Sequence, residues 1–107
     1  MESKPLTEHE IGPVDDVKPG FLRQVSVDGV GLCVGRLMDG TLFAVDEMCT
    51  HEEVSLVDGY VDGDEVECPA HGSRFDVRTG AVTGEPARVP VRCFALRVEG
   101  EKTFVAL

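Results

Sequence analysis

Positive charge is scarce in this chain: 10 lysines and arginines stand against 20 aspartates and glutamates, for a formal net charge of -10 at pH 7. A field of that sign repels phosphate backbones and anionic headgroups, which argues against nucleic-acid and membrane-surface partners. Its natural complement is a basic patch on another protein, where opposite potentials speed encounter without requiring tight binding. Long apolar runs are also missing, since none approaches the ~18 residues needed to span a bilayer. The opening Met1-Glu2-Ser3-Lys4-Pro5 has no basic segment followed by an apolar one, so the expectation is a cytosolic protein. No stretch sustains an apolar period of three to four residues, no internal repeat occurs, and no G-x-G-x-x-G turn is present to cradle a dinucleotide. With 107 residues there is room for one domain, which excludes a multidomain enzyme. A core of that size gives modest stability unless a disulfide or a metal centre adds to it.

What is present reads as β-structure. Residues 1–13 carry Pro5, Gly12, Pro13 and scattered charges without periodicity, and are read as a flexible lead-in to a domain covering 14–107, with 14–17 at most a short turn. Residues 21–27 and 30–37 are short β-rich runs joined at Asp28-Gly29, and Asp39-Gly40 turns the chain into 41–45. Very short strands are expected at 60–61, 65–67, 75–77 and 81–82, separated by Asp58-Gly59, Asp62-Gly63 and Thr79-Gly80. Residues 91–98 and 103–107, with a charged turn between them, predict a closing hairpin. The fold class is therefore all-β, built from short antiparallel sheets.

Four cysteines in a reducing compartment are thiols or metal ligands rather than disulfides. Cys49-Thr50-His51 and Cys68-Pro69-Ala70-His71 form two Cys/His pairs with sixteen residues between them, in a chain with three histidines in all. A thiolate and an imidazole on one short loop can face the same point, and the intervening Asp-Gly turns let both loops meet around one metal centre. Taken singly, each of these residues would pass as core packing or a solvated side chain; two matched pairs point to metal. Two Cys and two His also suit tetrahedral zinc, although zinc fingers tend to group Cys with Cys and His with His. Cys33 lies in Gly31-Leu32-Cys33-Val34 and Cys93 in an alternating strand, and both read as buried packing thiols.

The mixed order C-x-H-x16-C-x-x-H resembles the Rieske motif, in which His₂ replaces Cys₂ on one iron of a [2Fe-2S] cluster. The likeness extends to Phe43-Ala44-Val45-Asp46, to His71-Gly72-Ser73-Arg74-Phe75-Asp76, to Arg78-Thr79-Gly80 and to Pro86-Ala87, and runs from about Phe21 to the C-terminus. It implies one [2Fe-2S] cluster held by two loops at one tip of a small β-domain. Cys49 and Cys68 would bind the inner iron, and His51 and His71 the iron nearest solvent. Ser73 falls where high-potential members have a serine donating towards a cluster sulfide, but Phe75 replaces a tyrosine donating towards a ligand thiolate. Val54 and Ala70 replace the cysteines whose disulfide clamps the loops in that branch. Fewer donors to sulfur and an acidic field both disfavour the reduced state, so the low end of the Rieske range, about -150 mV, is expected.

The nearest resemblance is to the ferredoxins of bacterial aromatic-ring-hydroxylating dioxygenases of the biphenyl, toluene and carbazole type. It implies a monomeric cytoplasmic electron carrier, not an enzyme, passing single electrons from an NAD(P)H-dependent flavoprotein ferredoxin reductase to a terminal Rieske non-haem iron oxygenase. The chain cannot itself be that oxygenase, because only His9 remains once His51 and His71 are assigned. Glu52 and Glu53, beside the exposed cluster edge, would steer basic surfaces of both partners. Pro69, Gly72 and Gly80 are expected to shape the loops, and Phe43 and Phe75 to keep water from the cluster. Two other readings are a Rieske small subunit of a nitrite-reductase-like complex and a structural zinc module.

Overall fold

The computed structural model describes residues 6–13 and 17–107. The turn expected at 14–17 lies almost wholly outside them, as do residues 1–5 of the lead-in. Among the described residues, eleven strands form three small antiparallel sheets. β2 (Leu22–Val27), β3 (Val30–Arg36), β4 (Leu42–Asp46) and the two-residue β9 (Cys93–Phe94) make the middle sheet in the order β2-β3-β4-β9. The β2–β3 hairpin closes at Asp28-Gly29, where both residues have positive φ, 50° and 81°. That is the two-residue geometry whose twist matches paired strands, and Asp-Gly tolerates it best.

β3 and β4 are buried on both faces, so they read as nearly continuous apolar runs, whereas β2 alternates exposed polar and more buried apolar residues. Leu32, Val34 and Ala44 point into one core with Ile11, Val17, Val27 and Val105. Cys33, Phe43 and Val45 point into the other, with Leu37, Leu56, Val66, Phe75 and Val77. Cys33 is fully buried, as expected, and burial pushes its thiol up to about 12, with the Glu47 carboxylate adding to the rise. Gly35 pairs with Phe43, and a Cβ there would come within 2.4 Å of the Phe43 ring, so glycine lets that ring lie across β3 into the second core.

β5 (Tyr60–Asp62), β6 (Glu65–Glu67), β7 (Arg74–Asp76) and β8 (Val82–Gly84) form a second sheet in chain order. The third sheet has the order β1-β11-β10, from β1 (Glu8–Pro13), β10 (Leu96–Glu99) and β11 (Lys102–Ala106).

Three sequence expectations change. Residues 8–13 are not a loose lead-in: they form β1, which pairs with β11 from Glu8↔Ala106 to Pro13↔Lys102 around an irregularity at Glu10/Gly12. The irregularity breaks the two-residue alternation, which is why no strand period is visible there. Residues 91–98 are not one hairpin arm, because Cys93–Phe94 pairs with β4 and Leu96–Glu99 with β11. The chain changes sheets at Ala95. Cys93 is consequently exposed rather than buried, its thiol donating to the Val77 carbonyl at 3.4 Å.

Candidate metal centre

Two loops leave the cores side by side. The first follows β4, carries Cys49 and His51, and returns through an isolated bridge between Met48 and Ser55 to a 3₁₀ turn at Leu56–Asp58. Its base is closed by Glu47: the Glu47 amide donates to the Gly31 carbonyl at 3.1 Å, and the Glu47 carbonyl accepts from the Leu56 amide at 2.7 Å. The Ser55 hydroxyl donates to the Glu47 carboxylate at 3.0 Å, and the Ser55 oxygen also caps the 3₁₀ turn by accepting from the Val57 amide. Inside the loop, the Cys49 amide donates to the Val54 carbonyl at 2.9 Å.

The second loop joins β6 to β7 and carries Cys68 and His71. The Cys68 amide donates to the Ser73 carbonyl at 2.8 Å, and the Gly72 amide to the Cys68 carbonyl at 3.2 Å. Gly72 has φ 79°, a left-handed turn that favours a residue without a Cβ.

The two loops sort their donors by depth. Cys49 and Cys68 are 4% and 1% exposed and belong to the core that holds Phe43 and Phe75, whereas His51 and His71 are exposed, with ring centroids 5.7 Å apart at 80°. Burial is the main force raising the Cys68 thiol above its ordinary range. The neighbouring Cys49 thiol pushes the same way, while the Ala70 and His71 amides donate to the Cys68 sulfur and oppose the rise. Two neighbouring buried thiols are suited to a metal that replaces their protons.

A single tetrahedral ion would hold all its donors within about 4 Å of one another. Among the described residues, the set that closes to within 4.8 Å comprises His51, Glu52 and His71, and neither thiol. A pair of sulfurs below and a pair of imidazoles above therefore fits a two-metal cluster better than one zinc ion. The Glu52 carboxylate is turned inward against His71 Nδ1 rather than outward as a steering group. Glu53 is exposed.

A third loop, residues 85–92 between β8 and β9, holds both others. The Thr50 hydroxyl donates to the Val89 carbonyl, and the buried Ser73 hydroxyl oxygen accepts from the Ala87 amide at 3.1 Å. Gly80 joins this loop to β7: its amide donates to Asp76, its carbonyl accepts from the Val91 amide, and a Cβ would come within 2.0 Å of the Val91 oxygen. The two loops that carry the Cys/His pairs are thereby tied to a common neighbour. Pro86-Ala87 was the only sign of that loop in the sequence, and it holds the other two loops through the Val89 carbonyl and the Ala87 amide, backbone groups that carry no residue signature.

Fold and site together define a class: a small all-β protein that brings two Cys/His pairs together on adjacent loops, a donor set suited to a metal centre. The Rieske [2Fe-2S] domain matches residues 7–95, and the chain belongs to that family, whose cofactor is one [2Fe-2S] cluster. It is 43% identical over 93 residues to the biphenyl dioxygenase ferredoxin subunit of Pseudomonas sp. (strain KKS102), covering 86% of this chain and 84% of that one. The ferredoxin in a solved complex of reduced oxygenase and oxidized ferredoxin in carbazole 1,9a-dioxygenase superposes with a TM-score of 0.84 at 36% identity, over 91% of this chain and 99% of that one. A protein from Mycobacterium tuberculosis described as an NADH-dependent nitrite reductase small subunit superposes with a TM-score of 0.87 over 97% of each chain, but at 23% identity. That likeness is one of fold alone, so shape does not separate the two functional classes and sequence does. No helix among the described residues is long and apolar enough to cross a membrane.

Proposed function

We propose that this chain is the ferredoxin component of an aromatic-ring-hydroxylating dioxygenase system, taking single electrons from an NAD(P)H-dependent flavoprotein reductase and delivering them to a terminal Rieske non-haem iron oxygenase. It is a carrier, not an enzyme. In this reading Cys49 and Cys68 hold one iron as thiolates, and His51 and His71 hold the other through ring nitrogens. When bound, the cluster supplies a reversible one-electron couple. The residues around it do the remaining work: Phe43 and Phe75 keep water from the sulfur side, and the Ala70 and His71 amides donate to sulfur. His51 and His71 keep the other side open to a docking partner. The observation that carries the reading is this division of donors, buried thiols beneath exposed imidazoles, in a chain that aligns along most of its length with a biphenyl dioxygenase ferredoxin. The protein works as a monomer in the cytoplasm, where NADH is at hand and the free Cys33 and Cys93 stay reduced.

The test is NADH-dependent product formation by a reductase and oxygenase pair of the biphenyl or carbazole type, with and without the purified holoprotein. Product should form only when it is added, and the His71→Ala variant should neither restore turnover nor show the low-g EPR signal of a reduced Rieske centre. Turnover that ignores the protein, or a colourless iron-replete preparation, refutes the proposal.

A further inference from the structure

Arg74 stands immediately beyond the second ligand loop, and one side chain there touches all four strands of the sheet that carries that loop. Its own strand is β7. Nε donates to Glu67 Oε1 at 2.9 Å and Nη1 to Glu65 Oε1 at 2.9 Å, both on β6, while Nη2 donates to Asp62 Oδ2 on β5. On the other side the stem lies over β8. Gly84 is the cross-strand partner of Arg74, and a Cβ there would come within 2.9 Å of the Arg74 Cβ and 3.0 Å of its Cγ. Only a residue without a side chain leaves that stem its path.

The position of the pair matters as much as its strength. Glu67 precedes Cys68, Arg74 follows Ser73, and the two are directly opposite in the β6–β7 register, so their ion pair closes the base of residues 68–73. An exposed pair would contribute little. Here one partly buried guanidinium binds three carboxylates from two neighbouring strands, an arrangement its planar fork permits and a lysine ammonium does not. It also places one positive charge among three negative ones beside a Cys/His ligand pair. Removing it would leave those carboxylates unopposed, and negative charge near a centre that accepts an electron disfavours the reduced state.

We infer that Arg74 is a positioning residue for the metal centre, fixing the loop that carries Cys68 and His71 and raising the reduction potential by offsetting Asp62, Glu65 and Glu67. The inference rests on the ligand assignment proposed above. Once the loop base loosens, the Ala70 and His71 amides lose their aim at the Cys68 sulfur, so geometry and charge act on the potential in the same direction.

The test compares holoprotein of Arg74→Met, which keeps the stem without the charge, with Arg74→Lys, which keeps the charge without the fork. Arg74→Met should lower the midpoint potential, broaden or shift the reduced EPR signal, and lose its visible absorbance to an iron chelator several-fold faster than the parent. Arg74→Lys should have a potential between those of Arg74→Met and the parent, and bleach at an intermediate rate. Parent protein without a Rieske EPR signal would overturn the ligand assignment. A parent signal that Arg74→Met leaves unchanged in shape, potential and bleaching, with only the melting temperature lowered, overturns the role of Arg74 and leaves the ligands standing. Should Arg74→Met fail to fold, an Arg74→Lys protein that bleaches as slowly as the parent overturns it equally.

Discussion

Phe75 is fully buried in the core that also holds Cys49 and Cys68, a place where an added hydroxyl has no water to turn to. Leaving such a group unpaired costs about 1–3 kcal/mol, whereas donation to a thiolate recovers much of that and stabilises the electron-rich state. Phe75→Tyr is therefore expected to raise the midpoint potential at a cost of a few degrees in melting temperature. A potential that stays or falls would mean that the hydroxyl position does not face a ligand sulfur. The two Cys/His pairs were visible at this scale as candidates, because thiols and imidazoles are rare here and their chemistry is written in the residue type. The inward turn of Glu52 was not, since a carboxylate beside a histidine in sequence can point either way, and only the approach of the second loop brings His71 within its reach.

Among the elements, β1 is the one the sequence conceals. Ile11 is 9% exposed and packs with Leu32, Val34 and Val105, although its neighbours are charged residues, glycine and proline. Ile11→Ala should destabilise the protein by about 2–3 kcal/mol, the ordinary loss for truncating a buried aliphatic side chain near a sheet edge. Thermal or denaturant melts measure this directly, and a midpoint that does not move would return residues 8–13 to the status of a lead-in. The hairpins closed by Asp28-Gly29 and Asp39-Gly40 were readable because turn chemistry is local. The change of sheet at Ala95 was not, because it depends on which distant strand each half of the segment meets.

Over the whole molecule, an excess of ten negative charges should draw the carrier towards basic partner surfaces and make its electron transfer sensitive to salt. Near the exposed imidazoles, Glu53 is free to act on a partner, while Glu52 is engaged with His71. Glu53→Gln should slow electron transfer to the oxygenase most at low ionic strength. The difference should vanish as the screening length falls towards about 8–10 Å near 0.1–0.15 M salt. Stopped-flow rates across a salt series read this out, and superimposable curves would dismiss a steering role.

Residue chemistry and local turns alone determined the all-β class, the two Cys/His pairs, the sign of the field and most hairpin positions. Each of these follows from side-chain type or from dihedral preferences spanning a few neighbours. Tertiary structure decided which donors lie deep and which reach the surface, how residues 85–92 tie the ligand loops together, and how Arg74 spans its sheet. Those features join residues far apart in the chain, and a contact between distant segments exists only once the packing of two cores has chosen how the strands lie together.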